Sequence, residues 1–304
     1  MFSRTAGLWG VSFGRWAWTM TSPSMEYAAA ASLAIASGTL KGWNDPLSKQ
    51  CLDAAIGLWN HAQAQPGHRH LPAYMEGEGG YREFGLGSPQ WTAAVELTIA
   101  THGADPYRKR VEKLFPATAK QIAFGGWMAV RALPYLDASY RTRLRAAVAA
   151  FVPQLNAFLA TTPFGVPPSL GAWGGSSQVA EFGAQMYFLH EAFPDLIGPE
   201  YTLRAANYLL GTHPVSSESY ISAIGTASKL QAYGNNRADN TFIPGGMIPG
   251  YVVIKPDFPE CITRFGFLWF EDEYTVDAAA TWVLEANAAD AIVREGVRAR
   301  GPQT

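Results

Sequence analysis

Four carboxylates lie close together near the carboxyl end of the chain, in the stretch FLWFEDEYTVD (Phe267 to Asp277). Glu271, Asp272 and Glu273 are consecutive, and Asp277 follows one helical turn later. We expect Glu273 and Asp277 to share one face of a helix, among aromatic side chains that exclude water. Exclusion of water disfavours an ionised carboxyl group and raises its pKa toward the range of a general acid. The spacing therefore predicts a proton-donating site with Glu273, Asp272 and Asp277 as its catalytic candidates.

A purely structural interpretation of the same acids stays open. Carboxylates in the first turn of a helix are stabilised by the positive end of the helix dipole, whatever the protein does. Composition alone does not separate this interpretation from the catalytic one.

The acids close a long segment, from about His213 to Phe270, that is rich in Gly, Pro, Asn and Asp. Irregular segments of this length inside a compact domain usually carry function. The segment also contains apolar residues such as Phe242, Ile243 and Tyr251, which favours packing over a mobile surface insertion.

Helices must position this segment, and the sequence marks where several of them begin. Ser or Asp followed directly by Pro is typical of a helix start, because the side-chain oxygen caps exposed N–H groups and Pro presets φ at the first helical position. This pair occurs at Ser22-Pro23, Asp45-Pro46, Ser88-Pro89 and Asp105-Pro106.

Apolar residues at helical spacing extend the prediction to roughly nine helices. In the second helix they are Leu47, Cys51, Leu52, Ala55, Ile56, Trp59 and Ala62. Further stripes cover about 118–133, 138–160, 177–192, 199–211 and 273–290. Several helices are Ala-rich and apolar on more than one face, as in a double layer of helices. We therefore predict an all-α fold, a toroid of paired inner and outer helices.

Composition excludes several classes of protein. The 304-residue chain has a net charge of −2 and scattered Lys and Arg, unlike the basic footprint of a nucleic-acid-binding protein. No window of the sequence is apolar enough to predict a membrane span, and Arg4 and Arg15 bracket too short an apolar run for a clear signal peptide. Cys51 and Cys261 form neither a disulfide framework nor a metal clip. We predict no metal ion and no cofactor.

Five stretches in the carboxyl-terminal part of the chain resemble the motif series of glycoside hydrolase family 9, the inverting cellulase family. They are NYLLGTHP (207–214), SYISAIG (219–225), GNNR (234–237), IPGG (243–246) and FLWFEDEYTVDAAA (267–280). Upstream, residues 22–67 and 87–107 are similar to helices from the middle of that family's barrel. Single motifs such as GNNR are weak, but their order and spacing make the resemblance fairly specific.

The resemblance implies an (α/α)6 barrel that acts on oligo- or polysaccharides. Glu273 matches the family's general acid, which protonates the departing glycosidic oxygen, and Asp272 is its acidic neighbour. Arg237 matches a substrate-binding Arg whose guanidinium donors suit sugar hydroxyls. Trp173 and Trp269 are the favoured sugar-stacking residues, although any one aromatic residue is more often part of the core.

Departures from the family pattern put the substrate preference in doubt. Asn235 belongs to a stretch in which the family commonly has a His that contacts glucose. Arg264 replaces an Asp nine residues before the acid, and Ala279 replaces an Asn six residues after it.

The largest departure concerns the catalytic base. Inversion needs a second carboxylate about 6.5 to 9.5 Å from the acid, to activate water. Nothing in the chain matches the family's Asp-bearing DAGDY-like stretch, and a closed barrel of six hairpins needs twelve helices. We therefore expect a chain that lacks its catalytic base, in a barrel that is incomplete at its amino-terminal side, over residues 22–296, between an irregular stretch (1–21) and a tail (297–304). Exposed helix faces would then allow self-association.

Two alternatives to an inverting hydrolase remain. The chain could be a non-catalytic carbohydrate-binding remnant that has lost its base. It could also be another carbohydrate enzyme built as an (α/α) toroid, with Glu83, Glu181 or Asp277 as a substitute base. Because the family acts on polysaccharides too large to import, we expect the parent protein to be secreted or periplasmic.

Overall fold

A computed structural model describes residues 2–3, 17–18, 23–64, 89–167, 173–214, 216–229, 242–254, 258–261 and 269–300. Helices dominate these ranges, which confirms the predicted all-α class. They are α1 (Pro23–Leu40), α2 (Asp45–Ala64), α3 (Pro89–Ala100), α4 (Asp105–Thr118), α5 (Ile122–Arg131), α6 (Ala138–Thr161), α7 (Ser176–Ala192), α8 (Glu200–Leu209), α9 (Trp269–Asp272) and α10 (Val276–Arg300). The strands form two short antiparallel pairs, β1 (Phe2–Ser3) with β2 (Ala17–Trp18) and β3 (Val252–Ile254) with β4 (Phe258–Glu260).

All four predicted helix starts are confirmed. Helices α1 and α3 begin at the Pro of their pair, and α2 and α4 begin at the Asp. At α2 the capping residue is Asn44, one position earlier than expected, because its side-chain oxygen accepts the N–H of Leu47 at 3.2 Å. The Asp45 carboxylate instead accepts the N–H of Gly42 at 2.8 Å and closes the turn that follows α1.

The chain divides into two compact units. The first contains residues 1–117 and 134–136. In it α1 packs against α2 and α3. The rings of Tyr27, Trp59 and Tyr107 meet edge to face, with centroid distances of 5.3 and 5.4 Å. These contacts place Trp59 of the predicted α2 stripe in the core, whereas Leu47 at the start of the stripe is exposed.

The second unit contains residues 118–133 and 137–304, and α7 is its central helix. Helix α7 packs against α5, α8 and α10. Helices α7 and α8 are joined by the Thr202 hydroxyl, which donates to the carbonyl oxygen of Gly183 at 2.8 Å. All the residues of the predicted proton-donating site belong to this unit.

Glu285 of α10 is a fully buried carboxylic acid within the second unit. Its carboxyl group lies against Gly183, where an added β-carbon would be 2.3 Å from Oε1. Burial raises the pKa of the Glu285 carboxyl group to about 9, and the backbone of Ala206 offsets part of this effect. The folded protein therefore keeps Glu285 protonated at neutral pH.

We expect Glu285→Gln to flatten the dependence of stability on pH. The folded protein retains a proton that the unfolded chain releases near pH 4.5, so the wild-type free energy of unfolding falls as pH rises from about 4.5 to about 9. Each pH unit within that window removes at most about 1.4 kcal/mol. Urea unfolding at pH 5, 7 and 9 measures the slope. Glu191→Gln removes an exposed carboxyl group of α7 as the matched control, and equal slopes for wild type and Glu285→Gln would contradict this account.

Candidate active site

Glu273 lies in a three-residue break between α9 and α10, residues 273–275. The break ends at Thr275, where a new helix starts. The Thr275 hydroxyl accepts the N–H of Ala278 at 3.4 Å, and its carbonyl oxygen accepts the N–H of Ala279 at 3.1 Å. These contacts make Thr275 the capping residue of a new helix. The Glu273 residue itself is half-buried.

The prediction that Glu273 and Asp277 share a helix face is therefore wrong. Asp277 is exposed in the first turn of α10, where its charge complements the helix dipole. This position agrees with the structural interpretation of the acids, and a catalytic role of Asp277 stays a prediction. Helix α10 also begins three residues later than predicted and continues to Arg300, past the expected start of the tail at residue 297.

The backbone of α9 is attached to two neighbouring segments. The carbonyl oxygen of Phe270 accepts the N–H of Gly174 at 2.9 Å, and that of Glu271 accepts the N–H of Gly250 at 3.0 Å. Both bonds involve glycines, and a β-carbon at Gly174 would lie 2.3 Å from the carbonyl oxygen of Pro249. Close approach of the three segments therefore depends on glycine at position 174, because glycine has no β-carbon.

Trp173, directly before Gly174, is thereby held beside the segment that carries Glu273. Its side chain is 46 % exposed, which is unusual for so large an aromatic residue. The helix that follows, α7, is attached to the same region, because Ser176 donates its N–H to Pro249 at 3.0 Å and its hydroxyl to Ile248. The structure thus joins the segment of the predicted stacking residue to the backbone of α9, three residues before the predicted acid.

Asp272, directly before Glu273, forms a buried ion pair with Lys229. The distance from Nζ to Oδ1 is 2.7 Å, and the two side chains are 1 % and 0 % exposed. Burial raises the pKa of the Asp272 carboxyl group to about 6, and the nearby ammonium group offsets part of the increase. Asp272 therefore has no surface on which a substrate could lie, and it differs from Glu273 in this respect.

Tyr274, directly after Glu273, is held by a second polar contact. Its hydroxyl forms a short hydrogen bond with the hydroxyl of Ser222. Ser222 is fixed in turn by backbone bonds, since its N–H donates to Gly246 at 3.0 Å and its carbonyl accepts the N–H of Gly245 at 2.8 Å. The Tyr274 ring covers Gly246, where an added β-carbon would be 2.7 Å from the ring.

A buried aromatic cluster lies beneath the segment that carries Ser222 and Lys229. His213 stacks on Tyr220 with a centroid distance of 4.1 Å and an interplanar angle of 17°, and its Nε2 donates to the carbonyl oxygen of Glu218 at 2.8 Å. Burial lowers the pKa of His213, so the ring stays neutral, and raises the pKa of Tyr208 and Tyr220. These groups are uncharged support for the site and not part of its chemistry.

Three of the residues named from the sequence, Arg237, Asn235 and Glu83, lie outside the described residues. Trp269 begins α9, but its side chain is also outside the described part of the chain. Glu181, a candidate substitute base, lies half-buried on α7 and accepts a hydrogen bond from Gln185 at 3.3 Å. Burial raises the pKa of the Glu181 carboxyl group.

Sequence reasoning missed Lys229 and Ser222. The available signal was a lysine in a segment of small and apolar residues. Such a lysine has few local partners and therefore indicates a partner elsewhere in the chain. Its pairing with Asp272 depends on tertiary contact between residues far apart in sequence.

None of the described helices is long and apolar enough to cross a membrane. Within the described ranges, no group of three or more His, Cys, Asp or Glu side chains could hold a metal ion.

Comparison with known proteins identifies similar sequences and folds. The family model of glycosyl hydrolase family 9 matches residues 14–283. Among solved structures, a metagenome-derived glycoside hydrolase family 9 endoglucanase has a TM-score of 0.64 at 21 % identity, over 86 % of this chain and 51 % of that one. AaCel9A in complex with a cellobiose-like isofagomine has a TM-score of 0.68 at 17 % identity, over 88 % and 56 %. An endoglucanase from the termite Nasutitermes takasagoensis has a TM-score of 0.63 at 17 % identity, over 89 % and 66 %.

These likenesses confirm the predicted fold class, the (α/α)6 type. The chain spans about half the length of the first solved structures that it matches. No curated protein matches it.

Proposed function

Because the chain belongs to glycosyl hydrolase family 9, we propose that it is a glycoside hydrolase for β-linked glucan or related oligosaccharides, with Glu273 as the proton donor. The observation that carries the proposal is the position of Glu273. It is the half-buried carboxyl group in a helix break whose neighbours are anchored on both sides, and an exposed Trp173 lies on a segment bonded to the same helix α9.

The proposed reaction inverts the configuration at the anomeric carbon. Glu273 donates its proton to the glycosidic oxygen as the bond to the anomeric carbon breaks, so the leaving sugar departs as a neutral alcohol. A water molecule attacks the opposite face of the sugar ring and gives its proton to a carboxylate base. Glu181 is the first base candidate among the described residues, because it is a half-buried carboxylate of the same compact unit.

Sugar binding in this proposal depends on Trp173 and on Arg237, Asn235 and Trp269. A flat indole ring stacks on the apolar face of a β-glucoside, and a guanidinium group donates several hydrogen bonds to sugar hydroxyls. The substrate class implies that the parent protein acts outside the cytoplasm, since polysaccharides are too large to import.

The test incubates the 304-residue chain with cellotetraose and measures three quantities. They are the release of reducing ends, the anomer formed first by NMR, and the dissociation constant by calorimetry. We expect binding together with turnover that yields the α-anomer first. We also expect Glu181→Gln to lose turnover, because Glu181 is the proposed base. Binding without turnover would overturn hydrolysis in favour of a non-catalytic carbohydrate-binding protein, and absence of binding would overturn both.

A further inference from the structure

The residues on either side of Glu273 are both held by one segment, residues 219–229, through two separate polar contacts. Asp272 pairs with Lys229 near the end of the segment, and Tyr274 bonds to Ser222 near its beginning. Glu273, between them, has its neighbouring side chains fixed while its own stays half-buried.

Segment 219–229 is closed by hydrogen bonds within itself. Ser219 donates its N–H to Ala227 at 2.8 Å, and Lys229 donates its N–H back to Ser219 at 3.2 Å. Ala223 donates its N–H to the Ser228 hydroxyl at 2.9 Å and has a φ of 62°, in the left-handed region that non-glycine residues rarely occupy. A backbone strained in this way persists only where surrounding contacts determine it, and such positions concentrate at functional sites.

The two contacts are strong for different reasons. Lys229 and Asp272 are both removed from water, so separating them would leave an uncompensated buried charge on each side. The Tyr274 ring packs against the backbone of Gly246, which also accepts the N–H of Ser222, so the ring and the hydroxyl pair are supported by the same stretch of chain. Movement of Glu273 along the chain direction would have to break one contact or the other.

We propose that Lys229 and Ser222 are positioning residues for Glu273, which they hold in place through Asp272 and Tyr274 as a two-point clamp. The inference rests on the proposed role of Glu273 as proton donor. Displacement of a catalytic group by about 1 Å can cost on the order of 100-fold in rate, so a clamp on both neighbours has a direct consequence for the reaction.

The test combines two measurements on the full chain. Amide hydrogen exchange of peptides covering 269–276 reports the clamp itself and does not require sugar binding. The second measurement is the ratio of dissociation constants for cellobiose and for a cellobiose-like isofagomine. That compound carries a basic nitrogen, so its preference over cellobiose depends on how site carboxylates are placed.

The variants weaken one contact at a time. Ser222→Ala and Tyr274→Phe remove the hydroxyl pair, and Ser222→Thr keeps a hydroxyl. The double variant Lys229→Met with Asp272→Asn removes both buried charges together, so that neither is left alone. Lys49→Met with Asp53→Asn, an exposed ion pair of α2, is the matched control.

We expect each clamp variant to speed exchange in 269–276 by about 10-fold or more, with little change in the first compact unit. We also expect the isofagomine preference to fall by about five-fold while the cellobiose dissociation constant changes less than two-fold. The control should behave as wild type, and Ser222→Thr, which keeps the hydroxyl but adds a methyl group at a fully buried position, should lie closer to wild type than Ser222→Ala.

Unchanged exchange in 269–276 in every clamp variant would overturn the clamp. Faster exchange throughout the second unit, or an unaltered preference for the isofagomine, would show that Lys229 and Ser222 stabilise the unit in general. Either result would overturn their proposed role in positioning Glu273. If the wild-type chain binds neither sugar, the proposed function fails, and the exchange measurement still decides whether the clamp exists.

Discussion

Glu273→Gln lowers kcat for cellotetraose by about 10²- to 10⁴-fold and leaves the dissociation constant within about three-fold. The amide has the shape of the carboxylic acid but cannot transfer a proton to the departing oxygen. Because Glu273 is half-buried in a helix break that neighbouring residues fix, the substitution should not alter the fold.

The leaving group provides the sharper measurement. A dinitrophenyl β-cellobioside releases a stable anion and needs little protonation, so Glu273→Gln should slow its hydrolysis far less than that of cellotetraose. Asp277→Asn removes an exposed carboxylate four residues later and serves as the control. Equal losses on both substrates, or equal losses in both variants, would remove Glu273 from the role of acid.

Lys229→Met destabilises the folded chain by about 3 to 5 kcal/mol, because it leaves the Asp272 carboxylate buried without its cation. Adding Asp272→Asn should recover much of this loss, since the second substitution removes the uncompensated charge. Urea unfolding of the four members of this double-mutant cycle measures the coupling. Lys49→Met, which breaks an exposed pair, should cost less than about 1 kcal/mol.

The effect of Lys229→Met depends on pH in a defined direction. In the wild type, the pKa of Asp272 is raised from 3.8 to about 6 in the folded protein, so the contribution of this group to stability falls as pH rises through that window. Without Lys229 the pKa of Asp272 in the folded protein rises further, so the free energy of unfolding continues to fall above pH 6. We therefore expect a larger difference between variant and wild type at pH 7.5 than at pH 5. A larger difference at pH 5 would contradict the assignment of the ion pair.

Local chemistry predicted the helices well and the helix break poorly. Ser-Pro and Asp-Pro pairs identified four helix starts, because capping and the fixed φ of Pro act within a few residues. Helical spacing over about 273–290 placed Glu273 inside a helix. Thr275 starts a new helix instead, and nothing in the periodicity distinguished its capping hydroxyl from an ordinary helical Thr.

By itself, the sequence determined the all-α class, the approximate helix positions, the family, and Glu273 as the candidate acid. These depend on residue types and on contacts within a few positions of the chain. Only the tertiary structure separated the four acids. It buried Asp272 against Lys229, exposed Asp277, and left Glu273 half-buried between two anchored neighbours. The physical reason is that burial and ion pairing depend on which distant segments meet, and the 42 residues between Lys229 and Asp272 carry no local signal of that meeting.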